Sequence, residues 1–236
     1  MIDRVFASPD EALHDVFDGA TIMFGGFVSA GSPSNLILAL QRRGTTGITA
    51  IANNIGLGDK LDVLCEQRQI AKVIATFAIR ASGARQSLFE EQYRRGEVEL
   101  ELVPQGTFVE RIRAGGAGLG GVLTRTGLGT PVQDGKQVLS VDGADYLLEK
   151  PLRADFALVK AWKADRLGNL VYRMAGRNFN PVMATAADVT IAEVEHLVEP
   201  GQIDPDHVAT PGIFVKYILQ GGPYEKRIEK RTTRKP

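Results

Sequence analysis

Asp18-Gly-Ala-Thr-Ile-Met-Phe-Gly-Gly-Phe-Val-Ser-Ala-Gly-Ser-Pro33 decides how the rest of the chain reads. Thr21 to Phe24 is a short apolar run of the kind that forms a buried strand. It stops at Gly25-Gly26. Gly31 follows, and Ser32-Pro33 opens the apolar-periodic segment from Asn35 to Leu40. Ser32 suits a helix N-cap, and Pro33 suits the first helical turn, where a missing backbone N–H costs nothing. The stretch therefore predicts strand, glycine loop, helix. Glycine permits positive φ and removes side chains, so such a loop can bring backbone N–H groups at a helix N-terminus against an anion or a developing oxyanion. It lacks the Lys-Ser/Thr of a P-loop and the G-x-G-x-x-G spacing of a dinucleotide fingerprint. As a bare turn it serves equally well with no ligand.

Outward from this stretch, strands and helices keep alternating. Ser8-Pro9-Asp10-Glu11 is a helix start. Ile48 to Ala52 predicts a second strand, ending in Asn53-Asn54-Ile-Gly56-Leu-Gly58. Asp59 to Arg68 reads as helix, Lys72 to Phe77 as a third strand, and Ser87 to Arg95 as helix. Glu97 to Val103 alternates acid with apolar residue, a strand with one wet face, so its three glutamates read as solvated. Pro104-Gln105-Gly106-Thr107 ends that strand, and Phe108 to Ala114 turns helical. This alternation argues for an α/β fold with a parallel, doubly wound sheet. Loops that follow strands gather along one edge of such a sheet, so Gly26, Asn53 and Gln105 can converge. Asn53 either caps its turn or presents an amide N–H to an oxyanion; the residues alone leave both open.

The second half reads differently. Gly115 to Pro131 is a glycine-rich ordered loop with a short strand, Val122-Leu-Thr124. Its glycines lead towards a strand and not into a helix, which argues against a nucleotide loop. Val138 to Glu149, with Asp142-Gly143 at its centre, predicts a hairpin. Ala154 to Trp162 is a nearly continuous apolar strand, Pro181 to Ala187 a helix, Val189 to Val198 a long strand, and Ile213 to Leu219 a final strand. Residues 224–236 form a basic tail, read as a solvated end. With no internal repeat and no linker, residues 1–223 are expected to form a single domain.

Among 236 residues, 28 Lys and Arg balance 28 Asp and Glu, so there is no basic field for a nucleic acid. No apolar run approaches the ~20 residues of a membrane-spanning helix. The single cysteine, Cys65, excludes an intrachain disulfide framework, suits a reducing compartment, and reads as a small buried hydrophobe. The N-terminus carries no signal- or transit-peptide pattern, and the expected location is cytoplasmic. His14 and His196 have no second ligand at metal spacing, so no metal is expected.

The opening string resembles the signature of family I coenzyme A transferases: Asp-Gly, a few apolar residues, Gly-Gly-Phe, three residues, Gly-x-Pro. The likeness continues through Asn53-Asn54-Ile-Gly56, Val103-Pro-Gln-Gly106, Glu110 to Gly118, Thr126-Gly-Leu-Gly-Thr130, Asp155 to Arg166, Ala175 to Asn180 and Tyr224 to Glu229. Over nearly the whole chain these blocks look like the A (alpha) subunit, and most like the succinyl-CoA:3-ketoacid type. The resemblance implies an open three-layer α/β sandwich with a largely parallel sheet, the CoA-transferase (NagB/RpiA-like) fold.

It also implies a ping-pong transfer in which a glutamate attacks an acyl-CoA thioester, passes through an anhydride and a glutamyl-CoA thioester, and hands CoA to an acceptor acid. In the family that glutamate belongs to the B (beta) subunit, so the resemblance implies a partner, an α2β2 assembly, and a chain that is catalytically incomplete alone. No cofactor is implied as permanently bound; the CoA thioester is substrate. Carried over by motif, Asn53 donates to the oxyanion and Gln105 positions the substrate or the glutamyl intermediate. Gly25, Gly26, Phe27, Gly31 and Pro33 shape the loop that faces the acyl group. Three stretches depart from the pattern: Val28 where a further glycine is usual, Ala81 to Gln86, and Thr124 to Gly129. Acetoacetate is the leading acceptor. 3-Oxoadipate follows, with Arg80 or Arg85 placed to pair with its second carboxylate. The readings from other classes are a non-catalytic acyl-CoA-binding homologue and a subunit with a purely assembling role.

Overall fold

A computed structural model describes residues 4–56, 61–78 and 86–223. Its strands are β1 (Val5–Phe6), β2 (Thr21–Phe24), β3 (Ile48–Asn54), β4 (Ile70–Phe77), β5 (Glu99–Leu102), β6 (Val122–Thr124), β7 (Val138–Val141), β8 (Ala144–Glu149), β9 (Ala154–Asp165), β10 (Leu170–Val171), β11 (Ala187–Val198) and β12 (Tyr217–Gln220). Its α-helices are α1 (Pro9–Ala12), α2 (Ser34–Arg43), α3 (Asp62–Glu66), α4 (Leu88–Arg94), α5 (Gln105–Gly116) and α6 (Asn180–Ala184). Among the described residues, nine strands form one sheet in the order β1-β12-β11-β9-β2-β3-β4-β5, with β10 attached to β9. Every pair in that path is parallel, and β10 alone runs antiparallel, against the far end of β9.

Alternating side chains divide the core into two layers. Ile22 and Phe24 of β2 pack with α1, α2, α3 and α4 on one face; Met23 packs with Phe108 and Ile112 of α5 and Met183 of α6 on the other. The three layers expected from the resemblance are therefore helix, sheet and helix. Cys65 is free and fully buried in the first layer, as its apolar neighbours predict.

Strand order fixes where a ligand can sit. From β2 the chain steps outward through β3, β4 and β5; from β9 it steps the other way through β11 and β12. The reversal falls between β2 and β9, and neighbouring loops that leave a sheet in opposite directions open a crevice at the strands' carboxyl ends. The glycine loop leaves β2 at that point, where Gly25 N–H donates to Leu158 O of β9 (2.9 Å).

The smaller sheet, β6-β8-β7, is antiparallel. Asp142 and Gly143 both take positive φ (49° and 76°), the combination a type I′ hairpin turn requires. Glu149 of β8 is buried beneath this sheet, 2.6 Å from Lys136 Nζ and 3.9 Å from Arg111 Nε. Arg111 of α5 also reaches Glu101 (2.6 Å), so this glutamate is ion-paired and half-buried, contrary to the solvated reading.

Other differences concern ends. Helix α5 begins at Gln105, three residues before the predicted start, with Pro104 as its N-cap residue. Helix α2 likewise has Pro33 at its N-cap and starts at Ser34. The predicted strand from Ile213 is a 3-10 turn, Gly212–Phe214, followed by β12. The side chain of Arg4 holds that turn through the carbonyls of Gly212 and Val215. The two-residue β1 is too short to leave a pattern. The start of the predicted helix at Asp59, the Ala81 to Arg85 segment and the basic tail lie outside the described residues.

Gly115, in the last turn of α5, is where this helix touches the strand connection before β9: a Cβ there would stand 1.9 Å from Leu152 O. Leu152 N–H in turn donates to Arg111 O (2.9 Å). Gly115→Ala must push α5 off this connection. It is expected to destabilise by about 1–3 kcal/mol, the scale of overpacking, read as a lowered Tm. An unchanged Tm would mean that the helix moves away at no cost.

Candidate active site

At the carboxyl edge, the last residues of β3 meet the first residue of α5 and the glycine loop. Gln105 Nε2 donates to Asn53 Oδ1 (2.8 Å). Asn53 Nδ2 donates to Asn54 Oδ1 (3.0 Å), which also accepts the backbone N–H of Val28 (2.7 Å). A backbone N–H can only donate, so Val28 fixes Oδ1 of Asn54 as an acceptor. The amide nitrogen of Asn53 must then face it, and the Asn53 oxygen must face Gln105. One N–H thus sets the orientation of three side-chain amides. Asn53 is 1% exposed. Among the described residues, its second amide N–H has no acceptor.

These residues line an open cleft of about 220 Å³ with Phe24, Gly25, Gly26, Val28, Asn53 and Asn54 in its wall. Of the residues singled out from the sequence, Asn53, Gly25 and Gly26 are therefore together in the wall, and Gln105 stands behind Asn53. Phe27, Gly31 and Pro33 are not part of the wall. Phe27 is 42% exposed, at the start of a tight turn in which Phe27 and Ala30 exchange two backbone hydrogen bonds (3.0 Å each).

Val28 is the first central residue of that turn and takes φ +54°. Positive φ at this one central position suits a type II′ turn and favours glycine; a β-branched residue there is strained, by on the order of 1–3 kcal/mol. This explains physically why glycine is usual here in the family pattern. The bond to Asn54 helps hold Val28 in place.

Two of the glycines answer to a side chain that sequence reading did not single out. A Cβ on Gly25 would fall 1.8 Å from Asn180 Oδ1, and one on Gly31 would meet Gly176 O at 2.7 Å and Asn180 Nδ2 at 2.8 Å. Asn180 is fully buried. Its Oδ1 accepts Lys160 N–H (2.8 Å), and its Nδ2 donates to Gly31 O (3.0 Å) and Gly176 O (2.9 Å). It clasps β9, the glycine loop and the 3-10 turn Met174–Arg177 together.

The N-terminus of α2, expected to face an anion, already holds one. Glu193 of β11 accepts the backbone N–H groups of Asn35 (2.8 Å) and Leu36 (3.1 Å) through Oε2. Its Oε1 accepts from Asn35 Nδ2 (2.9 Å) and pairs with Lys160 Nζ (2.8 Å). Glu193 is 0% exposed and Lys160 5%. The helix dipole and the buried ammonium are thus spent on an internal carboxylate, which leaves the glycine loop and Asn53, not this helix end, to meet a ligand. The sequence did carry a signal: one lysine and one glutamate, each alone in a mostly apolar central strand, are charges that must find each other.

No group of three or more His, Cys, Asp or Glu residues forms a metal cluster among the described residues. Two phenols have raised pKa values, and both stand outside the cleft wall. Burial pushes Tyr172 above its ordinary range, and Tyr217 is pushed up to about 12 by burial and then by its hydrogen bond to Asp15.

With this geometry established, residues 6–221 match the family model for coenzyme A transferases. The chain belongs to the coenzyme A transferase family. This CoA-transferase is 47% identical, over 97% of its length and 94% of the relative's, to a Bacillus subtilis protein named as the A (alpha) subunit of a probable succinyl-CoA:3-ketoacid coenzyme A transferase. It is 49% identical to the A (alpha) subunit of the 3-oxoadipate CoA-transferase of Acinetobacter baylyi, covering 93% of this chain and 95% of the relative. Among solved structures, glutaconate coenzyme A-transferase from Acidaminococcus fermentans shares the fold with a TM-score of 0.79 at 20% identity, over 92% of this chain and 75% of that one.

The buried pair gives a direct test of what holds the loop's helix. Glu193→Gln leaves the Lys160 ammonium without its carboxylate and is expected to cost roughly 3–5 kcal/mol in chemical denaturation. Adding Lys160→Met should recover part of that loss. A single variant as stable as the parent would show that the pair contributes nothing.

Proposed function

We propose that this chain is the alpha subunit of a 3-oxoacid CoA-transferase, moving CoA from succinyl-CoA to acetoacetate or a similar 3-oxoacid. The observation that carries the reading is the buried amide of Asn53, in the cleft wall with one N–H uncommitted among the described residues. Each step of a ping-pong glutamyl-CoA mechanism passes through a tetrahedral oxyanion, and a pre-oriented amide N–H stabilises charge that develops there. In this reading Asn53 is the oxyanion donor and Gln105 holds it in register. Gly25 and Gly26 leave room for the acyl group, and Phe27, Gly31 and Pro33 shape the loop behind them.

The nucleophilic glutamate comes from a beta subunit, with α2β2 as the assembly. The CoA thioester is substrate, not a resident cofactor. Residues 1–223 act as one domain, and the cytoplasm is the compartment that the lone buried thiol suits. The relatives named as one subunit of a pair support the partner. Supporting a glutamate from elsewhere, Glu193 and Glu149 are committed to internal lysines.

A second acceptor is favoured by one comparison. The 49% identity to a 3-oxoadipate CoA-transferase chain makes 3-oxoadipate the alternative to acetoacetate. Arg80 and Arg85, the candidates for its second carboxylate, lie outside the described residues.

The test is CoA transfer from succinyl-CoA to both acceptors, assayed with this chain alone and with a co-expressed beta subunit. Activity only in the pair is expected; activity of the chain alone would place the nucleophile here and overturn the division of labour. In the pair, Asn53→Ala should lower kcat by about 10²-fold, the scale for one oxyanion donor, with a smaller change in KM. Unchanged turnover would remove Asn53 from that role.

A further inference from the structure

We infer that Val28 sets the size of the acyl acceptor, acting as a fixed apolar stop in the cleft. The inference rests on the reading above that this cleft receives the acceptor's acyl group. Of the loop residues in the cleft wall, Gly25 and Gly26 bring no side chain and Ser32 a small polar one; Val28 alone brings an apolar branched group.

The backbone at Val28 is in the left-handed region, φ +54°, within a turn closed on both sides by hydrogen bonds between Phe27 and Ala30. A glycine would hold this turn without strain and would leave the cleft wider. Strain kept at a residue in a site wall points to a use for its side chain. Nor can this side chain swing aside easily. The Val28 N–H is bonded to Asn54 Oδ1 (2.7 Å), and Asn54 holds Asn53, so displacing Val28 would also disturb the uncommitted amide. Size exclusion and donor placement are thereby tied to one turn. In an apolar pocket one methylene changes selectivity by about 10- to 200-fold, enough for one isopropyl group to separate short acceptors from longer ones.

The test compares acetoacetate with 3-oxohexanoate in the enzyme assembled with its beta subunit. Both kcat/KM and calorimetric Kd are read, for the parent, Val28→Gly, Val28→Ala and Val28→Thr. Val28→Gly is expected to shift both ratios towards the longer acid by about tenfold or more, the scale of one methylene in a pocket. Val28→Ala should move them in the same direction. Val28→Thr keeps the branched shape and should keep the parent's ratios. If Val28→Gly loosens the loop and lowers Tm, Val28→Ala carries the comparison. Ratios unmoved in both smaller variants, with both acids still bound, overturn the role of Val28 and leave the acyl-cleft reading intact. Binding of neither acid by parent or variants overturns that reading and this inference together.

Discussion

The carboxylate of Glu193 is the tie on which the arrangement of this edge depends. It sits in β11, reaches across β9 through Lys160, and receives the first free N–H groups of α2. The helix that follows the glycine loop is thereby fastened to the half of the sheet that runs the other way. Removing a carboxylate from water is costly, and only the simultaneous presence of an ammonium, an amide and two backbone donors makes the position tenable. Once that fastening holds, Gly25 to Gly31 has both ends set, and Asn180 can clasp it from the opposite layer.

A division of labour between the two faces follows. The face that carries α2 supplies rigidity through charge; the face that carries α5 and α6 supplies the amide contacts, with Gln105 behind Asn53 and Asn180 behind Gly25. The cleft lies where these two kinds of support meet. This is also the reversal point of the strand order, so the chain's connectivity and its polar chemistry converge on the same few residues.

Much of this could be read from the sequence, for local reasons. The strands β2, β3, β4, β9 and β11 are buried on both faces and so appear as apolar runs, and Ser87 and Ser8 announce their helices through their caps. The convergence of Gly25, Gly26, Asn53 and Gln105 followed from their place after parallel strands. What stayed hidden was long-range. Glu193 and Glu195 look alike in an alternating strand, yet one is buried against Lys160 and the other is exposed, a difference decided by α2, far away in the chain. Asn180 looks like a residue of a helix start, and its contact with Gly25 is invisible until both layers are assembled. The helix starts at Ser34 and Gln105 were displaced because a proline fits the N-cap position as readily as the first turn.

The amide chain from Val28 through Asn54 and Asn53 to Gln105 contains no titratable group. Its polarity is set by a peptide N–H, which neither gains nor loses a proton over the range in which the protein is folded. Its power to donate to an anion is therefore the same in mild acid and in mild base. A bell-shaped pH–rate profile in the assembled enzyme must then originate outside this chain of amides, in ionisable groups elsewhere or in the acids being exchanged.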